Sequence, residues 1–422
     1  MSSHAKWLLM ALSCIAPQMA QPQEAQQQWS ETQLIDRFLA QSTQARELRA
    51  RVALTEAEAR TRTAYQNPSV SWSREGAGYN QFFEASQTLP LSGRTRYLRD
   101  AGTAAVSASD ASREAALWSL RSDLRIAFYR MVAAQERMRA VTSAISEVEE
   151  LIRILRKREE EGEGSRYDRL RAEREAFELR TDLATARSMA AAAGAQLSAY
   201  LPEGTEVRQV RGELPVQSDV PELAALIRRA MNSRADYRAE QKVLSRFQIE
   251  EQAARRLRIP EPTVTAGVKR ADVIAGVPPS PFSDVTRTGV AISLSVPLPV
   301  FNDGRFEVAR QQAEQEKTTA RMVVLERQIH AEVRGALEVL AIRRDALGAY
   351  QKELASAGAE LSSITQVAYR EGEIGILEVL DSLRVSRAAR LRAIDLQATV
   401  REAWIDTERA VGEELSGREG RP

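Results

Sequence analysis

From Leu117 to Leu155 the chain places apolar residues at alternating steps of three and four: Leu117, Leu120, Leu124, Ala127, Met131, Ala134, Met138, Val141, Ile145, Val148, Ile152 and Leu155. A 3.5-residue period keeps one stripe against a neighbour only if the helices supercoil left-handedly, so this stretch specifies a long coiled-coil helix. A second stripe runs through Val333, Ala336, Leu340, Leu347, Tyr350, Leu354, Ala357, Leu361 and Ile364, interrupted at Arg343, which is expected to snorkel. Gly93 to Gly162, and Gly304 to Gly372, can each form a nearly continuous helix of about 100 Å at 1.5 Å per residue. Aromatic residues are only 5% of the chain against 28% charged, too few for large round cores, so an extended architecture is expected.

The pattern is internally repeated. Leu89-Pro90-Leu91 before Gly93-Arg94 recurs as Leu298-Pro299-Val300 before Gly304-Arg305, and Asn67-Pro68-Ser69-Val70 is echoed by Glu261-Pro262-Thr263-Val264. Gly162 and Asp168 are matched by Gly372 and Glu378 about 210 residues later. The Pro- and Gly-bearing stretch from Leu201 to Pro221 is the expected joint. Residues 21–208 and 209–422 are therefore read as two repeats, each a helix, a β-hairpin and a long helical hairpin.

Short segments between the helices alternate with period two, which a plain coiled coil does not need. In Thr288 to Val296, Val290, Ile292, Leu294 and Val296 point one way, while Gly289, Ala291, Ser293 and Ser295 point the other. Val264, Ala266 and Val268 alternate with Thr265, Gly267 and Lys269, and Val70 and Trp72 with Ser69, Ser71 and Ser73; Gln81 to Leu89 is the return strand. Tyr79 and Asn80, and the segment from Ala271 to Asp284 with Pro278, Pro279 and Pro281, are expected as the outward loops. Strands of roughly 9 residues cross a bilayer when tilted, and lipid tolerates no open sheet edge. One chain supplies too few strands to close a barrel, so several protomers must each lend four, with Thr265, Lys269, Ser293 and Ser295 toward the lumen. Lys269 and Arg287 put positive charge on that side as well.

Other function classes are poorly served. With 59 basic and 58 acidic side chains, mixed to a net charge of +1, no electrostatic footprint for nucleic acid stands out. The only cysteine is Cys14 and the only histidines are His4 and His330, which leaves no metal-ligand set, no expected cofactor and no catalytic constellation. Lys6 and the apolar stretch Trp7 to Ala16 read as a signal peptide over residues 1–20, cut after Ala20. Lipidation of Cys14 is the alternative, against which Ala11, Leu12 and Ser13 fit a lipobox poorly.

In order, spacing and duplication, Asn67-Pro68, SQTLPLSGRTRYLR from Ser86, SVPLPVFNDGR from Ser295 and YREGEIGILEVLDS from Tyr369 resemble the TolC family of outer-membrane efflux proteins over nearly the full length. LPLSGR and PLPVFN are most similar to its heavy-metal cation branch, the CzcC- and CusC-like proteins, whose second motif usually continues Asn-Arg-Asn-Gln-Gly where this chain has Asn302-Asp303-Gly304-Arg305. The resemblance implies a mainly α protein with a small β part. It implies a homotrimer with a twelve-stranded barrel in outer-membrane lipid and a helical tunnel through the periplasm. Its expected partners are a periplasmic adaptor and an inner-membrane pump of the RND type, and its cargo is heavy-metal cations or other small toxic solutes.

The resemblance also places a periplasmic gate. Glu378 and Asp381 match carboxylates that ring the aperture. Asp168 and Tyr369 match a pair joined by a closing hydrogen bond, while Ile374 replaces an arginine of the family's second turn. Gly162, Gly164, Gly372 and Gly375 are expected to make the tight reversals, and Ile374, Ile376 and Leu377 to be exposed for adaptor contact. The rival readings are a periplasmic coiled-coil adaptor or scaffold, with one hairpin and a lipoyl-like domain, and a channel for drug efflux or type I protein secretion.

Overall fold

The computed structural model describes residues 28–75, 80–215, 219, 221–275, 283–371 and 373–415. The expected leader with Cys14, Tyr79, Gly372 and the three loop prolines lie outside the described residues. The elements are β1 (Gln28–Trp29), α1 (Glu31–Gln41), α2 (Thr43–Thr63), β2 (Ser69–Glu75), β3 (Asn80–Thr88), α3 (Arg94–Glu160) and α4 (Arg166–Ser198). They are followed by β4 (Gln209–Val210), α5 (Leu223–Ser233), α6 (Ala235–Arg255), β5 (Thr263–Ala275), β6 (Ser283–Ser295), α7 (Arg305–Arg370) and α8 (Ile376–Val411). One order of elements thus occurs twice. At 67 and 66 residues, α3 and α7 are each about 100 Å long. No helix among the described residues is long and apolar enough to cross a membrane.

The first seam behaves as its spacing requires. Leu124, Ala127, Met131, Ala134, Val141, Ile145, Val148 and Leu155 are buried, and Leu117, Leu120, Met138 and Ile152 half-buried. Among its described side chains, which leave out Leu354, Ala357 and Leu361, the second seam departs in two places. Arg343 does not snorkel: its guanidinium donates to the Thr399 carbonyl at 2.8 Å, stitching α7 to α8. Ile364 is 56% exposed in the single chain.

Where the halves meet, β1 and β4 pair in parallel and Phe38, Leu34, Phe128, Met131, Leu197 and Ile405 fill one core. Trp404, Leu226, Ile329, Val333 and Leu340 fill a second. An ion network bolts the cores together. Arg125 of α3 pairs with Glu31 of α1 and with the fully buried Glu408 of α8, which also accepts from Trp404 Nε1 at 3.0 Å and from the Leu415 amide at 2.9 Å. Burial alone would lower the Arg125 pKa, but the two carboxylates more than offset it and raise it.

The strands join in one antiparallel sheet of order β2-β3-β5-β6. Its second hairpin exceeds expectation: β5 runs on to Ala275 and β6 starts at Ser283, in the segment read as a loop. The alternation fades there because the outward positions turn polar at Arg270 and Thr288, so a hydropathy pattern no longer marks the strand. β6 ends at Ser295, two residues before Pro297, which has no N–H to give a ladder.

Candidate channel wall and helix-tip gate

Directly opposed residues of an antiparallel pair share a face, so the register defines two sides of the sheet. Trp72, Phe83, Val268 and Val290 form one row across all four strands, and Val70, Ala85, Ala266 and Ile292 the next. These side chains are uncovered: Val290 is 80% exposed, Trp72 66% and Phe83 57%. On the reverse face Ser69, Ser86, Thr265 and Ser293 align, with the first two hydroxyls 2.6 Å apart. Thr88, Thr263 and Ser295 make another polar row. Thr265, Lys269, Ser293 and Ser295 thus share the polar side, as the alternation requires. In the chain β2 and β6 each have one unpaired edge.

At the far end the helices reverse. The first reversal needs its glycines: Gly162 has φ 76°, and a Cβ on Gly164 would come within 2.9 Å of the Glu159 amide nitrogen. Ser165 then caps α4, its Oγ accepting from the Tyr167 amide at 3.2 Å, which leaves Asp168 half-buried in the first turn. Arg169 clasps both Glu159 and Glu173, the latter at 2.8 Å, and this bond to Arg169 holds the Glu173 carboxyl below its ordinary pKa. The clasp escaped sequence reading, although the ten-residue step from Glu159 to Arg169 across a tight turn was available as a signal.

The second reversal differs from expectation. Gly375 has φ −87° and is open except for the Glu378 carboxylate folding back over it, so its backbone does not demand glycine. Ile376, expected to be exposed, is 3% exposed and packs with Leu380, Leu155 and Ala172; the first turn of α8 points it at α3 and α4. Ile374 is half-buried, and only Leu377 of the three remains substantially open. Glu378 and Asp381 are exposed, one turn apart on α8. Tyr369 lies against the Ile376 cluster with the Arg158 guanidinium 5.8 Å from its ring. Burial raises the Tyr369 pKa, Arg158 lowers it and the charge of Asp168 raises it again. Among the described residues no hydrogen bond joins Tyr369 to Asp168, so the expected closing bond is not made in this structure and Arg158 is the partner at the Tyr369 ring. Arg158 is the member sequence reading missed.

Between the hairpins runs a ladder of ion pairs: Arg384 to Glu175 at 2.9 Å, Arg387 to Asp182 at 3.0 Å, Arg390 to Glu147 at 2.9 Å and Arg130 to Glu402 at 2.8 Å, with Arg137–Asp395 and Arg409–Asp123. With Arg125–Glu408, seven arginines among the described residues thus tie α8 to α3 and α4.

Two duplicated helical hairpins carrying a four-stranded sheet with an uncovered apolar side are the fold this chain shares with solved outer-membrane channels. Residues 226–413 match the family described as outer membrane efflux protein. The cobalt-zinc-cadmium resistance protein CzcC of Cupriavidus metallidurans is 24% identical over 324 residues, covering 74% of this chain and 73% of CzcC. Among solved structures, CusC superposes with a TM-score of 0.68 at 18% identity, over 91% of this chain and 92% of CusC. The open state of the Neisseria gonorrhoeae MtrE outer membrane channel gives 0.65 at 22% identity, over 91% and 89%. The resemblance carried by the motifs is thereby shown, and these relatives are channel or resistance proteins.

Proposed function

We propose that the chain is a passive exit duct of a tripartite efflux system, in which three copies close a twelve-stranded barrel in the outer membrane and hang a helical tunnel into the periplasm. The observation that carries this reading is the sheet. Four strands present aligned, exposed apolar rows on one side and hydroxyl rows on the other, and both edge strands lack a partner. In lipid an open edge is untenable, so β6 of one copy must meet β2 of the next, and the antiparallel alternation lets them. Exposed apolar residues on hairpin one (Tyr167, Leu170, Phe177, Met189) and hairpin two (Val339, Ile342, Ile364, Val367) suit the same head-to-tail closure. The two repeats, 21–208 and 209–422, supply the two hairpins of each protomer.

The cargo proposed is heavy-metal cations, on the kinship with the cobalt-zinc-cadmium resistance protein. Transport energy comes from an inner-membrane pump reached through a periplasmic adaptor, which contacts the helix tips around Leu377. Asp168 and Tyr369, with Arg158, form the latch, and Glu378 and Asp381 present charge to the aperture. A scaffold or adaptor has no use for the second hairpin and the two-faced sheet.

Reconstitution in planar bilayers tests the reading directly. The purified chain should behave as a detergent-requiring trimer that inserts and conducts, and Asp168→Ala combined with Tyr369→Phe should raise its single-channel conductance. A water-soluble monomer without pore activity sinks the duct; a conducting trimer insensitive to the double substitution sinks only the latch. A deletion strain should in turn become sensitive to zinc, cobalt or cadmium salts.

A further inference from the structure

The polar side of the sheet carries one carboxylate at mid-height. Ser71, Glu84, Gly267 and Ala291 form a single row across the four strands, and Glu84 is its only charged member. A Cβ on Gly267 would lie 2.4 Å from the Phe83 carbonyl oxygen and 2.7 Å from Glu84 Cγ, so glycine vacates the space that the Glu84 side chain crosses. Among the described residues no hydrogen bond or ion pair occupies the Glu84 carboxylate. The nearest cation on this side, Lys269, one row outward, holds its ammonium 5.0 Å from the centroid of the Phe82 ring directly opposite it and keeps its charge there, so Glu84 acts against it. Arg287 stands a further row outward, opposite Ala271.

We propose that Glu84 is the cation-selecting residue of the barrel bore. The inference rests on the shared-barrel reading, in which the polar side faces the lumen and closure brings three Glu84 carboxylates to one height. Small row neighbours leave each half-buried carboxylate open on the lumen side, where a ring of acids concentrates hydrated cations and repels anions without binding either. Each carboxylate is alone in its row, so the site attracts metal ions and does not chelate them. The bore is wide, and the field reaches across it only when screening is weak: the Debye length is about 30 Å at 0.01 M salt and about 8 Å at physiological strength. Selection is therefore strongest in dilute salt.

Reversal potentials in planar bilayers test this, with a tenfold KCl gradient built on dilute salt and the full-length protein as an intact oligomer. Glu84→Gln should lower the potassium-to-chloride permeability ratio about two-fold, and the difference should fade in 1 M salt, where the Debye length is about 3 Å. Glu84→Lys should carry the preference toward chloride, Lys269→Gln should move it the other way, and Glu84→Asp, which keeps the charge, should hold the wild-type ratio. Wild-type reversal potentials in both Glu84→Gln and Glu84→Lys overturn the proposal and leave selection to the helix tips. A wild-type protein that never conducts removes the barrel itself, a failure distinguishable from the first.

Discussion

Each half of the chain lays down an 11-residue helix, a 21-residue helix, a strand pair and a helix of 67 or 66 residues, yet the two tips are closed by different forces. In the first, a hydroxyl caps α4 and Arg169 clasps two glutamates; in the second, the positions equivalent to Glu159, Arg169 and Glu173 are Tyr369, Val379 and Leu383, and Ile376 plugs the turn. The sheets differ too: strands of 7 and 9 residues in the first half, 13 and 13 in the second. Geometry is thus conserved between the halves while the chemistry at corresponding points is free to change.

Of the ties between the halves, the buried one should matter most. Glu408→Ala would leave Arg125 with one carboxylate, strip Trp404 Nε1 and the Leu415 amide of their acceptor, and remove the buried tie between α3 and α8. Breaking a buried pair by removing one partner costs about 3–5 kcal/mol. Thermal denaturation in detergent should show that loss, and a variant as stable as wild type would mean the halves are joined elsewhere.

The tips themselves are contrasted by their glycines. Gly162→Ala forces a side chain into φ 76°, a left-handed conformation costing roughly 1–2 kcal/mol, whereas Gly375→Ala meets ordinary backbone and only a movable carboxylate. The first change should lower the denaturation midpoint and the second should leave it nearly unmoved. Equal effects would erase the distinction drawn between the two turns.

The legible part of this molecule was whatever periodicity encodes. The 3.5-residue seam, bounded by Gly93 and Gly162, placed α3, and the two-residue alternation found β2, β5 and β6 with β3 as the return strand, because both patterns exist to bury or present a face. Legibility stopped where no face is buried. The outer ends of β5 and β6 lie past the apolar rows, and Arg343 spends its charge on a carbonyl of another helix, which no local pattern reveals. The family motif located the tip residues but not their burial. Ile376 stands beside exposed Leu377, and only the phase of α8 against α3 and α4 decides which one is covered. Glu84 escaped for a related reason, since its strand reads irregularly and the row it joins is drawn from three distant segments.

The smallest expected effect separates the tips by charge alone. Glu173 is held low by its bond to Arg169, so the clasp's contribution is complete above the ordinary glutamate pKa and is lost as pH falls through the lowered folded value. Arg169→Gln should reproduce that loss at neutral pH. In both cases amides around Gly162 should exchange faster, after correction for intrinsic rates, while those around Ile376 keep their protection, because an apolar plug has no proton to gain. High salt should act weakly in the same direction, since these pairs are largely solvated. Should the two tips loosen together on acidification, the ion-pair ladder from α8 to α3 and α4 would have to be treated as one unit with the clasp, and the second hairpin would lose its claim to move independently.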